Sequence, residues 1–310
     1  MLRVFEAFAG YGSQSIALRN LGIEYEVVAI SEIDKYAIKA YEAIHGPTNN
    51  LGDICKIDPS DIPDHDLFTY SFPCQDLSVA GKQAGLGKGT RSGLLYECEK
   101  VIEAKKPKYL LLENVKNLVG KKFKPQFDEW LDYLKSLGYT NYWKVLNAKN
   151  YGVPQNRERV FVVSILGDHK PYKFADKMPL DKCIADILED KADEKYYINK
   201  PFHLVNKGHQ AELDIKGQDC IKRVYSTDKI APALTTMQGG LREPKILESL
   251  DYRIRKLTPR ECFRLMGMRD DDIDKIQATS ISNTQQYKMA GNSIVVDVLE
   301  AIFKNLFMEG

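Results

Sequence analysis

Asp66-Leu67-Phe68-Thr69-Tyr70-Ser71-Phe72-Pro73-Cys74-Gln75 is an apolar, β-rich run that breaks at a proline and a cysteine. Its first five residues read as a buried strand, so Cys74 is expected just past a strand's carboxyl end. In open α/β sheets that edge is where ligands bind. Pro73 fixes its own φ and has no amide donor, which holds the next residue in a set direction at the lip of a cleft. The stretch that follows, Gln75 to Gly93, carries Gly81, Gly85, Gly87, Gly89 and Gly93 with Lys82, Lys88 and Arg91. It is too glycine-rich for a stable helix and reads as a basic lid. A lone cysteine is more often a small buried hydrophobe than a nucleophile, so the rest of the chain must decide its role.

Upstream, Leu2 to Phe8 reads as a first strand, and Ala9-Gly10-Tyr11-Gly12-Ser13-Gln14-Ser15 as a glycine turn feeding a helix that ends near Gly22. Two glycines allow close backbone approach to a ligand, but Ser15 stands where a dinucleotide fingerprint has its third glycine, and such turns also serve as plain connections. Glu26 to Ile30 is a second strand, ending in Ser31-Glu32-Ile33-Asp34. An acid at that tip suits the two hydroxyls of a ribose, while Asp34 suits an N-cap for the helix starting near Lys35. In Gly52-Asp53-Ile54, Asp53 offers a carboxylate to an adenine amino group with Ile33 and Ile54 on either side of the ring; a surface turn is an equally natural reading.

Downstream, Leu94 to Lys106 reads as a helix and Lys108 to Val115 as a central strand. Glu113 follows three leucines, so its carboxylate belongs at the same sheet edge as Cys74, partly desolvated. Burial raises a carboxyl pKa, which suits a proton donor, whereas an ion pair with a basic neighbour is the plainer reading. Tyr142 to Leu146 and Arg159 to Ile165 read as further strands. Arg157 and Arg159 alternate with Glu158 and share one side of an extended segment, where they can fork onto a polar ring or a phosphate.

From about Lys170 to Asp251 prolines punctuate short polar pieces and periodicity is weak, which reads as a small, loop-rich inserted domain. Thr258-Pro259-Arg260-Glu261 is a capping box opening a helix that Gly267 stops. Gly291 to Leu299 is expected to begin a long terminal helix packed on the first domain. The expected division is 1–169, 170–251 and 252–310, the last returning to the first domain.

The 310 residues are 44% hydrophobic and 28% charged, with a formal net charge of +1, an ordinary soluble composition that does not itself advertise a polyanion partner. The six cysteines form no Cys-x-x-Cys pair, so neither zinc nor a disulfide framework is expected. No apolar run is long enough to cross a bilayer, and a cytoplasmic protein is expected.

Taken in order, Phe8-Ala9-Gly10-Tyr11-Gly12, Glu32, Gly52-Asp53-Ile54, Phe72-Pro73-Cys74-Gln75, Glu113-Asn114-Val115, Gln155 to Phe161, Arg255 to Cys262 with Met266-Gly267, and Gly291-Asn292-Ser293 resemble the DNA (cytosine-5)-methyltransferases of bacteria and phages. The match covers nearly everything outside Lys170 to Asp251. The resemblance implies an α/β fold: a Rossmann-like, S-adenosylmethionine-dependent methyltransferase sheet with helices on both faces, plus an inserted target-recognition domain. It implies that Cys74 adds to carbon 6 of a cytosine flipped out of double-stranded DNA, that Glu113 protonates or hydrogen-bonds ring nitrogen 3, that Arg159 holds the ring carbonyl, and that Arg157 supports them. It assigns Phe8, Gly10, Gly12, Glu32, Ile33, Asp53, Ile54, Pro73, Gln75, Leu94, Asn292 and Ser293 to S-adenosylmethionine, with S-adenosylhomocysteine as product and no metal. Ser78, Lys82 and Arg91 of the lid would contact DNA, and Arg223, Gln238 and Arg242 are the expected base readers, each equally readable as an exposed surface residue. A monomer suffices to read a short palindrome, and a restriction endonuclease with the same site is a partner of the type implied.

Three rivals remain in view. An RNA cytosine methyltransferase shares the core, but the Cys-Phe-Thr motif of the group modifying transfer RNA is absent. A catalytically inactive DNA-binding paralogue would keep the fold, yet Cys74, Glu113, Arg157 and Arg159 are all present. A nicotinamide dehydrogenase explains the glycine turn and leaves Pro73-Cys74-Gln75 unexplained.

Overall fold

The computed structural model describes residues 1–73, 92–237, 239–248 and 252–308, so Cys74, Gln75, Ser78, Lys82, Lys88, Arg91 and Gln238 lie outside the described residues. In chain order the first elements are β1 Leu2–Ala7, α1 Ser13–Asn20, β2 Tyr25–Ser31, α2 Lys35–His45, β3 Leu67–Tyr70, α3 Leu95–Lys105, β4 Tyr109–Val115, α4 Lys124–Ser136, β5 Tyr139–Asn147, β6 Gln155–Asn156 and β7 Glu158–Leu166. They are followed by β8 Phe202–Leu204, β9 Ala211–Leu213, α5 Asp219–Lys222, β10 Arg223–Ser226, β11 Ala231–Pro232, β12 Lys245–Glu248, β13 Arg253–Lys256, α6 Pro259–Arg264, α7 Asp270–Gln277, α8 Asn283–Asn292 and α9 Val296–Phe307. Packing gathers them into two compact units: Met1–Leu146 with Glu158–Asp176 and Val298–Gly310, and Asn147–Arg157 with Lys177–Asp297.

The first unit is built on a six-stranded sheet in the order β2-β1-β3-β4-β7-β5. β1 runs parallel to β2 and β3, and β3 parallel to β4, while β7 is antiparallel to β4. The carboxyl ends of the four parallel strands therefore open at one edge. Successive residues of a strand point to opposite faces, and both faces here are covered. Phe5, Phe68, Tyr70, Leu110 and Leu112 pack with Leu95, Cys98, Val101 and Ile102 of α3 and with Phe127, Trp130 and Leu134 of α4. On the other face Glu6 bonds Ser15 of α1 and Tyr41 of α2. A parallel sheet needs such two-sided cover, because its strands are apolar on both faces. Fully burying a side chain such as Phe68 stabilises the fold by about 2–3 kcal/mol.

Local sequence explains the helix ends. In α3 the buried Leu95, Cys98, Val101 and Ile102 fall three to four residues apart, which lines one face, and Lys106 closes the helix in a left-handed conformation before Pro107. Asp34 caps α2 by accepting the Tyr36 amide at 2.9 Å, as its position suggests.

The second unit holds a five-stranded sheet, β13-β12-β10-β9-β8, and a two-stranded pair, β11-β6. Ala211, Leu213, Val224, Leu247 and Ile254 form its small core. The region expected to be mostly loop is thus more regular than its composition implies, because strands of three or four residues are too short to display alternation. β13 completes this sheet, so the segment after Asp251 packs with the one before it. The capping box forms as expected: Thr258 Oγ1 accepts the Glu261 amide at 3.2 Å, and Glu261 Oε2 accepts the Thr258 amide at 2.7 Å. Arg255 adds a buried fork onto the same carboxylate, with both bonds at 2.8 Å.

The expected terminal helix needs correction. Gly291 and Asn292 end α8 rather than opening a helix; Ser293 is extended, its Oγ donates back to the Met289 carbonyl at 2.7 Å, and α9 starts only at Val296. Asparagine and serine compete for the backbone through their own side chains, and they break the helix there. No helix among the described residues is long and apolar enough to cross a membrane.

Candidate active site

The carboxyl edge of the first unit's parallel strands is assembled from three loops. After β1, Phe8, Gly10 and Gly12 all take left-handed backbone, with φ of 56°, 60° and 82°. Gly12 has no room for a side chain: an added Cβ would overlap His45 and come within 2.7 Å of Tyr41 Cε2. Gly10 is the opposite case, with nothing among the described residues within 4 Å of the same position. The protein thus leaves open space beside Gly10, where backbone approach by a ligand is possible.

Glu32 joins this loop to the next. Its Oε2 accepts the Gly10 amide at 2.9 Å, and its Oε1 accepts the amides of Ile33 and Asp34, both at 2.8 Å. Asn50 clasps the Glu32 backbone through its Oδ1 and Nδ2, at 3.2 and 3.1 Å. A carboxylate has roughly four acceptor sites, so one oxygen lone pair remains for a hydroxyl donor. Beside it Ile33 stands 73% exposed, whereas Ile54 is packed into the sheet core at 5%. Only Ile33 of that expected pair is free to meet a flat ring. Asp53 caps the short turn Ile54–Lys56 through the Cys55 amide at 3.1 Å. Leu94 is half-buried where α3 begins and packs on the same core.

β3 ends at Tyr70, and Pro73 is the last described residue before Cys74. Here the structure adds a residue to which sequence reading gave no role of its own. Asn114, almost fully buried, donates from Nδ2 to the Phe72 carbonyl at 3.0 Å and accepts the Val115 amide at 2.9 Å, fixing the peptide just before Pro73. Its place beside Glu113 in the sequence was the available signal. Glu113 is 8% exposed, and its Oε1 lies 3.2 Å from Arg159 Nε across the β4–β7 pair. The ion pair offered as the plain reading of Glu113 is therefore present. It joins the two groups whose chemistry complements a heterocycle with adjacent ring nitrogen and carbonyl.

Arg157, in the second unit, has different work. Its guanidinium donates to three backbone carbonyls, Leu234 at 2.8 Å, Gly291 at 2.9 Å and Ser293 at 2.8 Å. These bonds, rather than a polar ring or a phosphate, take up the fork. Gln155 works alongside, accepting the Leu234 amide at 2.9 Å and donating to the Leu265 carbonyl at 2.6 Å. Asn292 and Ser293 lie at the end of α8 in the same unit. Of the expected base readers, Arg223 is exposed at the start of β10 opposite Glu212, and Arg242 is exposed between β11 and β12. Among the described residues no cluster of three or more His, Cys, Asp or Glu side chains is arranged to hold a metal ion.

Comparison with known proteins agrees with this arrangement. The family model described as C-5 cytosine-specific DNA methylase matches residues 2–308. The type II methyltransferase M2.ScrFI of Lactococcus lactis subsp. cremoris is 42% identical, with 99% of each chain covered. The orphan methyltransferase M.SPBetaI of Bacillus phage SPbeta is 35% identical over 98% of this chain and 97% of its own. In fold, the chain is similar to the crystal structure of the Schizosaccharomyces pombe Dnmt2 methyltransferase, with a TM-score of 0.78 at 21% identity over 100% of this chain and 99% of that one. This chain belongs to the C-5 cytosine-specific DNA methylase family, and it is a DNA (cytosine-5)-methyltransferase.

Proposed function

We propose that the chain methylates cytosine within one short DNA sequence, with Cys74 as nucleophile, Glu113 as proton donor and Arg159 as the group that holds the base. The observation that carries this reading is the buried Glu113–Arg159 pair at the carboxyl end of β4, the strand beside β3, whose chain runs on to Pro73. Carbon 5 of cytosine is too electron-poor to attack a methyl group unaided. Addition of the Cys74 thiolate at carbon 6 makes carbon 5 nucleophilic and pushes charge to nitrogen 3; once carbon 5 is methylated, loss of its proton and expulsion of the thiolate restore the ring and free Cys74. Glu113 supplies a proton or hydrogen bond there, an effect worth about 10²–10⁴-fold in rate. Arg159 holds the adjacent carbonyl oxygen and keeps Glu113 oriented. Asn114 fixes the Phe72 carbonyl, two residues before Cys74 in the sequence. Arg157 acts as a positioning residue, through the carbonyls it ties together.

The donor set beside β1 and β2 fits S-adenosylmethionine. Open space at Gly10, the Glu32 carboxylate and exposed Ile33 offer, in turn, close backbone approach, a ribose acceptor and an apolar surface for adenine, with Phe8, Gly12, Asp53, Ile54, Pro73, Gln75, Leu94, Asn292 and Ser293 completing the assigned set. When bound, that cofactor supplies a methyl group on a cationic sulfur. The remaining work falls to the chain: Glu32 holds, Ile33 covers, and the glycine loop admits the ligand.

Residues 170–251 are proposed to read the target, through Arg223, Gln238 and Arg242, while Ser78, Lys82 and Arg91 contact the DNA around the flipped base. The enzyme is proposed to act as a cytoplasmic monomer. The type II name of the Lactococcus relative supports a companion restriction endonuclease, and the orphan name of the phage relative marks the case without one. Methyl transfer from labelled S-adenosylmethionine to double-stranded DNA and to transfer RNA tests the reading. Incorporation into DNA alone, abolished by Cys74→Ala with cofactor affinity retained, is expected. Turnover by Cys74→Ala, or transfer to RNA alone, would overturn it.

A further inference from the structure

Between β11 and β12 the second unit carries a run of left-handed backbone. Met237, Gly239, Gly240 and Leu241 all have positive φ, at 45°, 77°, 68° and 59°. Methionine and leucine rarely adopt this conformation, and backbone strain persists only where neighbouring contacts overdetermine it. Two anchors do so here. At the start, Leu234 is held by Gln155 at its amide and Arg157 at its carbonyl. At the end, Lys245 is only 1% exposed, yet its ammonium turns back into the loop and donates to the carbonyls of Leu241 at 2.7 Å and Glu243 at 3.1 Å.

A buried lysine is costly, and burial pulls this one down to about pKa 8. Near neutral pH it is still protonated, and its donors close the turn on both sides of one residue, Arg242. That arginine is exposed and, among the described residues, has no hydrogen bond or ion pair. The turn thus invests a buried charge and left-handed backbone in presenting a guanidinium that no described residue engages. A planar fork of this kind pairs bidentately with guanine in the major groove.

We propose that Lys245 is a positioning residue for target recognition: by binding the Leu241 and Glu243 carbonyls it fixes the turn that presents Arg242 to a base of the substrate DNA. This rests on the reading of residues 170–251 as the part that selects the sequence. Lys245 does not touch DNA; Arg242 does. Exposed Thr235 and Thr236 lie on the same anchored stretch.

The test uses the full-length enzyme and compares the methylation rate on its recognition sequence with rates on every single-base-pair variant, for wild type, Arg242→Ala, Lys245→Met and Lys245→Gln. Affinity for S-adenosylmethionine reports whether the first unit remains intact. The expected result is a loss of discrimination of at least tenfold at one base pair, the same one for Arg242→Ala and the Lys245 variants. Glutamine, which keeps an N–H donor, should lose less than methionine. If Lys245→Met does not fold, Arg242→Ala and Lys245→Gln decide. Wild-type discrimination in Arg242→Ala, or in either folded Lys245 variant, would overturn the proposal. A wild-type enzyme that methylates no defined sequence would instead refute the underlying reading.

Discussion

Glu113 and Arg159 face each other across β4 and β7, carboxylate Oε1 to guanidinium Nε at 3.2 Å, with side-chain exposures of 10% and 19%. The pair is screened from water on most sides, so its geometry is held more firmly than a surface ion pair would be. It also brings one carboxylate and one fork of donors together at the sheet edge. Substituting Glu113→Gln keeps the shape and removes the acid. Methyl transfer should fall about 100-fold or more, with S-adenosylmethionine affinity within about twofold. Wild-type rates in single-turnover assays would remove Glu113 from the chemistry.

The two glycines after β1 make a matched pair for testing the cofactor assignment. Gly12→Ala forces a side chain into Tyr41 and His45 and should lower thermal stability together with cofactor binding. Gly10→Ala meets no atom of the described residues, so its cost to folding is the backbone term of about 1 kcal/mol. If a ligand passes close to that backbone, Gly10→Ala should nonetheless weaken S-adenosylmethionine at least tenfold in calorimetry. Unchanged affinity in that variant would show that the open space serves something else.

Beneath the same loop, burial raises the fully enclosed Glu6 to about pKa 7 from its ordinary 4.5, although hydrogen bonds from Ser15 and Tyr41 pull the other way. A folded-state value above the unfolded one means that its contribution to stability is complete below about pH 4.5 and is lost as pH rises through about 7. Glu6→Gln has no charge to bury at any pH. Its melting temperature relative to wild type should therefore climb steadily between pH 5 and pH 8, and parallel curves would contradict the assignment.

In the second unit Arg157 and Gly291 hold the same crossing. Arg157 ties Leu234, Gly291 and Ser293, and a Cβ on Gly291 would collide with the Thr235 carbonyl. Arg157→Met leaves buried carbonyls without a donor and should cost about 3 kcal/mol or more in denaturant unfolding. Gly291→Ala should be comparably damaging. A stable Arg157→Met enzyme that had lost only turnover would favour direct contact of Arg157 with the base.

Much of this architecture was legible in the chain. β1, β2, β3 and β4 are mostly apolar runs, as buried parallel strands are, and the Thr258 capping box marked where α6 begins. Glu113 could be assigned to the strand edge because three leucines precede it. What could not be read was whatever depends on distant partners. Arg157 and Arg159 look equivalent in sequence, two residues apart, yet one ends on backbone carbonyls and the other on Glu113. Ile33 and Ile54 look equivalent too, and the sheet core claims one of them. Lys245 sits in a polar stretch like any surface lysine; only the fold reveals that its ammonium is buried. The short strands β8 to β13 carry too few residues each for alternation to register.

The central claim is best tested by expressing the protein in cells that lack cytosine methylation and mapping 5-methylcytosine across their DNA by bisulfite sequencing. Methylation confined to one short sequence motif, and lost with Cys74→Ala, is the predicted result. DNA that converts completely in cells containing folded, S-adenosylmethionine-binding protein would contradict it.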